Sequence, residues 1–213
     1  MTSVFLAALG DASARLRPEV ARYAAATSGG DDVVGEGIFD VVGGRQGRIG
    51  VLLRPFAGPR FLLTRRGRNV PFHVVNRPGA GPAGIELCAE RTVRFDDRAQ
   101  TFADVLRLGS EPGTLTNLLG DARRVEIRLR CTATAEGHLR LASDRCWVRL
   151  GRLRIRLPAA FAVRVEVEDG FDDATGRQTV RAHARNPIVG TVLEYRGSFT
   201  WHVEPTGAPT SGI

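Results

Sequence analysis

Residues 189–203 read VGTVLEYRGSFTWHV, and the side chains divide by parity. Val189, Leu193, Tyr195, Phe199, Trp201 and Val203 hold odd positions, while Glu194, Arg196, Ser198, Thr200 and His202 hold even ones. A period of two predicts a β-strand with one face turned to a core and one to water. Here the inner face is aromatic and the strand is long. Gly197, in its middle, predicts a kink or a close backbone approach.

The same alternation recurs upstream. Val125, Ile127, Leu129 and Cys131 alternate with charged partners, and Phe161, Val163, Val165 and Val167 alternate with Arg164, Glu166 and Glu168. Over Trp147–Leu157 the apolar parity switches at Gly151-Arg152, which predicts a bulge or tight turn. Glycine- and proline-rich stretches at 76–84, 109–113, 136–137 and 170–176 read as connections. Two apolar runs, Arg48–Phe56 and Thr114–Leu119, are too short for periodicity to separate a helix or turn from a strand.

The N-terminal stretch 4–24 differs. Phe5, Leu9, Ala12, Leu16, Val20 and Tyr23 recur at three- and four-residue spacing, which predicts an amphipathic helix lying on an apolar surface. Pro18 either kinks it or begins a second helix. Residues 24–32 then form a loop, 33–204 the β region and 205–213 a frayed tail, all within one domain. The expected architecture is a strongly curved antiparallel sheet or barrel, lipocalin-like in general shape, with the N-terminal helix closing or capping it. The alternative is an α+β fold with a helix packed across an open antiparallel sheet.

Composition narrows the functional classes. The chain has 213 residues, 43% hydrophobic and 25% charged, so it is neither disordered nor a disulfide scaffold, given 3 cysteines. The formal charge is +7, and all 30 basic residues are arginine. Such a balance admits an arginine-rich nucleic-acid or membrane-surface binder. However, arginines and acids interleave along the strands, as in Arg124-Val-Glu126-Ile-Arg128, which is the pattern of cross-strand pairing on a solvated face. Codon bias of a GC-rich genome accounts for the absence of lysine, so nucleic acid is the disfavoured partner.

Cys88, Cys131 and Cys146 form no CxxC pair, and His73, His138, His183 and His202 show neither HxH nor HExxH spacing. No metal or other cofactor is expected. The acid pairs Asp31-Asp32, Asp96-Asp97 and Asp172-Asp173 fall in turns, where aspartate bonds its own backbone. Gly35, Gly37, Gly43 and Gly44 read as turn or strand-end residues rather than a phosphate cradle. No apolar stretch reaches the length of a membrane span, and no basic leader precedes residues 4–9, so a cytoplasmic protein is expected.

The candidate ligand-binding residues are Arg91, Phe95, Tyr195, Phe199 and Trp201. Arg91 shares the parity of Ile85, Leu87, Ala89, Val93 and Phe95, so its guanidinium is expected on an apolar face. There it either holds a ligand carboxylate or phosphate, turns outward at a bulge, or pairs internally with an acid such as Glu90 or Glu194. On the ligand reading, Arg91→Ala empties the site without unfolding the protein. Tyr195, Phe199 and Trp201 either line an apolar pocket or are plain core aromatics. No residue is assigned a catalytic role.

The two ends of the chain resemble the bacterial domain-of-unknown-function 4166 family. Leu9-Gly10-Asp11-Ala12 followed by Leu16-Arg17-Pro18-Glu19-Val20 is similar to the family's opening LG…LPP pattern. Asn186-Pro187-Ile188-Val189-Gly190 leading to Tyr195-Arg196-Gly197 is similar to its closing motif. In the middle, Arg91-Thr92-Val93-Arg94-Phe95 keeps only half of a tryptophan–arginine–phenylalanine motif. The resemblance implies a domain found alone or fused to saccharopine-dehydrogenase-like or epimerase-like oxidoreductases, hence a role as accessory subunit to an NAD(P)-dependent oxidoreductase. The residues themselves favour a module that binds a small apolar or amphipathic ligand in a β cavity.

Overall fold

The computed structural model describes residues 2–44, 58–81 and 84–207. Eleven antiparallel strands follow in chain order: β1 (Asp32–Gly43), β2 (Val70–Gly81), β3 (Gly84–Phe95), β4 (Arg98–Leu108), β5 (Thr114–Leu119), β6 (Val125–Ala133), β7 (Leu139–Leu150), β8 (Leu153–Arg156), β9 (Arg164–Asp172), β10 (Arg177–Asn186) and β11 (Gly190–Glu204). Each pairs with the next, except that β8 folds back on β7 alone and β7 resumes the wall with β9. Pairing of β1 with β11, from Asp32↔Glu204 to Gly43↔Glu194, joins the two ends of the sheet. The result is a closed, up-and-down barrel of ten strands with β8 as a branch. Closure leaves the barrel wall without edges, which excludes the open-sheet alternative.

The β1–β11 seam rests on small residues. A Cβ on Gly37 would lie 2.1 Å from the Ser198 carbonyl oxygen, and one on Gly197 would lie 2.1 Å from that of Ile38. Gly35 faces Val74 and the Phe199 ring. Gly35 and Gly37 are thus strand-interior residues that let the walls come close, where the sequence suggested turns.

Several connections also change. The stretch 76–84 is mostly strand: β2 runs to Gly81 and β3 begins at Gly84, with Pro78 opposite Leu87. β1 pairs β2 only as far as Val33↔Asn76, so beyond it β2 has a neighbour on one side and Pro78 needs no second ladder. Thr114–Leu119 is β5, held on both sides by β4 and β6. The parity switch at Gly151-Arg152 is a two-residue hairpin turn, with Leu150 facing Leu153 and Gly151 at φ 58°. The run 48–56 lies outside the described residues.

At the N-terminus, α1 (Val4–Leu9) stops at Gly10, a 3-10 segment covers Gly10–Arg15, and α2 (Pro18–Ala26) begins on Pro18, the position where proline's missing N–H costs no helical bond. Ser3 caps α1 by accepting from Phe5 N at 3.3 Å. Its hydroxyl also meets Thr27 Oγ1 at 2.9 Å. Since Thr27 spends its own proton on Ala24 O, at 2.8 Å, Ser3 is the donor, and the start of α1 is tied to the end of α2.

Both helices lie across one end of the barrel. Val4, Phe5, Leu9, Leu16, Val20 and Ala24 share a buried cluster with Leu87, Leu106, Leu115, Leu129, Leu139 and Leu141 from the wall. Polar ties fix the plug to the turns it covers: Gln178 Nε2 donates to Glu19 O at 2.9 Å, and Arg17 N to Gly137 O at 2.9 Å. A second cluster joins Tyr23 of α2 to Phe39, Phe72, Val93, Phe102, Tyr195 and Phe199 of the wall. Among the described residues no helix is long and apolar enough to cross a membrane.

If the β1–β11 approach sets closure, Gly37→Val should lower the melting temperature by roughly 5–10 °C or prevent folding, since overpacking costs about 1–3 kcal/mol or more. Gly79→Ala, in a strand position with no atom within 4 Å of the added carbon, should melt within about 1 °C of the parent. Thermal denaturation followed by circular dichroism reads both.

Candidate functional site

Between the two clusters the barrel encloses a cavity of about 170 Å³. Its wall is mainly apolar. Phe72, Val74 and Phe102 come from β2 and β4, Val165 and Val167 from β9, Ala182 from β10, and Tyr195 and Phe199 from β11, while Phe5 and Tyr23 reach in from the helical plug. At the end away from the helices, Phe61, Leu62, Val163 and Val192 continue the lining. The aromatic rings support one another: Phe39 stacks on Phe72 at 3.7 Å, Tyr23 meets Phe199 edge-on at 5.3 Å, and Tyr195 lies 5.1 Å from Phe39.

Eight polar side chains interrupt this surface: Tyr23, Asn76, Arg91, Asp104, Asn117, Asp169, His183 and Tyr195. The β pairing explains their height in the barrel. Asn76, Ala89 and Asp104 form one cross-strand row on β2, β3 and β4, and Val74, Arg91 and Phe102 form the adjoining row. Arg91 therefore reaches diagonally to Asp104 and forms an ion pair with it. Its guanidinium also lies 5.3 Å from the Phe102 ring centre. Burial pulls its proton affinity down, but the Asp104 carboxylate beside it more than offsets this and holds it above the usual arginine value. Asp104 is 7% exposed and the Arg91 side chain 21%, so the acid is buried and the guanidinium partly so.

The expected internal partners of Arg91 were Glu90 and Glu194, and neither fills that role. Both have the opposite parity and pair outside the barrel, Glu90 with Arg60 at 2.6 Å and Glu194 with Arg66 at 3.0 Å. Asp104 engages Arg91 through one terminal nitrogen of the guanidinium, so the arginine charge is already compensated inside the barrel. Arg91→Ala is also no clean binding test, because it strands a buried acid.

Tyr23 and Asn76 satisfy each other, Asn76 Nδ2 donating to Tyr23 Oη at 2.9 Å. Burial raises the Tyr23 phenol above its ordinary range and pushes Tyr195 up to about 12, so both stay protonated. Asp169 projects from β9, opposite Val180 of β10 and Leu139 of β7. Burial raises it to about 6, against a lowering pull from Arg91.

Of the five residues named from sequence, Arg91, Tyr195 and Phe199 line the cavity, and Phe95 and Trp201 do not. Phe95 closes β3 far from the helices, next to Gly67. Trp201 lies near the plug, 5.5 Å behind the Tyr23 ring. They share a face with the lining residues but sit at opposite ends of the barrel. Asp104, Asp169, Tyr23 and Asn76 were not singled out. The signal for the two acids was present, as Asp104 sits at the parity of Phe102 and Leu106 and Asp169 at that of Val165 and Val167.

The other chemistry-bearing residues are structural. Cys131 is buried and pushed up to about 12, and burial likewise raises Cys146 and Cys88, so none is an activated thiol. Among the described residues no group of His, Cys, Asp and Glu is placed to hold a metal. Asp172 accepts from Ala174 N at 3.0 Å and Thr175 Oγ1 at 2.7 Å, as a turn aspartate does. Many arginines of the outer face are paired, with Arg60 between Glu90 and Asp121, Arg128 between Asp144 and Glu111, and Arg154 on Glu126.

The family described as "Domain of unknown function (DUF4166)" matches residues 16–199. The uncharacterized protein YndH of Bacillus subtilis (strain 168) is 26% identical over 168 residues, covering 78% of this chain and 81% of that protein. Among solved structures, the S-type phycobiliprotein lyase CPES from Guillardia theta aligns with 84% of this chain and 90% of its own, at 8% identity and a TM-score of 0.35.

Two stability measurements test the polar interior. Arg91→Met should cost about 3–5 kcal/mol by leaving Asp104 buried and unpaired, and adding Asp104→Leu should restore most of the loss in chemical denaturation. Asp169 keeps its proton to about pH 6 in the folded protein, whereas an unfolded aspartate loses it near pH 3.9. The folded state is therefore favoured below that lower pH, and the advantage is lost as pH rises through 6. Asp169→Asn should consequently stabilise the protein at pH 8 and change little at pH 4.

Proposed function

The chain belongs to the DUF4166 family, and from that premise we propose that it is a binding module which holds a small, mostly apolar ligand inside its barrel. The observation that carries the reading is the composition of the interior. A closed barrel of ten strands is wide enough to leave space that side chains do not fill, and here that space is lined by aromatic and aliphatic groups with a few convergent polar ones.

Binding fits this interior better than catalysis does. The buried thiols and phenols are held in their protonated forms, and the arginine is committed to an ion pair. The wall is also internally braced: the ring contacts and the Arg91–Asp104 pair hold it in place, which lowers the ordering cost of accepting a guest.

Native mass spectrometry of the folded protein should show a stoichiometric small-molecule adduct that is released on denaturation. Ala182→Leu projects a larger side chain into the cavity, at a cost of about 1–3 kcal/mol. It should lose the adduct while retaining a cooperative melt. A folded parent protein with no adduct, or a leucine variant that keeps one, would overturn the proposal.

A further inference from the structure

The polar groups inside the barrel are not equally spoken for. Arg91 is taken by Asp104, and Asn76 by Tyr23. Among the described residues no hydrogen bond or ion pair engages the Asp169 side chain, although it borders the cavity. A half-buried carboxyl group facing a mainly apolar cavity and left without a partner is expensive. It is retained at little cost only if something else supplies the donor.

The charge count points the same way. The cavity wall carries two carboxyl groups, Asp104 and Asp169, against the one guanidinium of Arg91. A guest with a negative head would meet an excess of acid and an arginine already bound. A guest with a donor, above all a positively charged one, would meet the open carboxylate.

We infer that the barrel's ligand is an aryl-sized molecule bearing a hydrogen-bond donor, in its strongest form a protonated amine, held against the Asp169 carboxylate. The inference rests on the binding reading above and specifies the chemistry of its ligand. Size follows from the cavity, since an apolar space of about 150 Å³ takes a benzene ring and this one is about 170 Å³. The ring-rich wall of Phe72, Phe102 and Phe199 suits a flat apolar body and adds cation–π attraction for an ammonium group.

The groups that set the ionisation of Asp169 are Arg91 on β3, which favours the carboxylate, and the adjacent Glu168, which opposes it. Tyr23 of α2, Tyr195 of β11 and Cys131 of β6 also feel its charge, and all three are held neutral. The open carboxylate is the species that takes an ammonium, so affinity for a cation must rise with pH across the titration of Asp169.

Four probes of one shape separate the possibilities: benzylammonium, benzyl alcohol, toluene and benzoate, titrated calorimetrically into the full chain. At pH 7.5 benzylammonium should bind at least about tenfold more tightly than benzyl alcohol, and benzoate more weakly than toluene. Lowering the pH to 5 should weaken benzylammonium by about tenfold while leaving toluene unchanged. In Asp169→Asn, benzylammonium and benzyl alcohol should fall within about threefold of each other. The pH series on the parent protein carries the test even where that variant folds poorly. Tightest binding by benzoate would overturn the inference in favour of Arg91 as the recognition group. Equal binding by all four, unaffected by Asp169→Asn, would overturn it while leaving the cavity reading intact. No heat with any probe, toluene included, would overturn both.

Discussion

The close approach of β1 and β11 is the constraint on which the interior depends. Hydrogen bonding along that seam converts a meander into a closed wall, and the wall alone defines an inside. At Gly37 and Gly197 each backbone occupies space that a side chain on the other would need. Room gained there is used by Phe39 and Phe199, the rings against which the other aromatics pack. With the strands held further apart, Tyr195 and Phe199 would no longer face the same space as Phe102 on the opposite wall.

Once an inside exists, its polar content becomes a matter of compensation. Arg91 and Asp104 cancel, Tyr23 and Asn76 bond to each other, and the helical plug brings its own caps. Outside, the acids are matched with arginines strand by strand, with Arg154 both paired to Glu126 and stacked 3.9 Å over Trp147. The +7 charge is the arginine in excess of those acids, and Arg107, Arg123, Arg124 and Arg149 gather around one groove of the outer surface.

Period-two alternation made the strands legible, and the 189–203 segment yielded Tyr195 and Phe199 as inward residues. Alternation reports which face a residue takes and says nothing of its height along the barrel. That is why Phe95 and Trp201, correct in parity, lie at the two rims, and why Glu90 and Glu194 were offered to Arg91 while the right partner stood on β4. Tyr23 was beyond reach for another reason. Its helical spacing reveals an apolar stripe, and only closure of the barrel turns that stripe into a floor of the cavity. Gly35 and Gly37 were misread because a glycine that loosens a turn and one that admits a neighbouring ring are identical in one dimension.

The β8 branch leaves a mark on the wall. β8 pairs with Trp147–Leu150 of β7, and β9 pairs only with Leu139–Ala142, opposite Asp169–Glu166. Every other junction around the ring is longer. Such a short ladder is where thermal opening costs least, so the barrel has a built-in weak stave. Asp169 stands at one end of it. The helical plug backs this junction, since Arg17 donates to Gly137 O just before β7 and pairs with Asp173 just after β9.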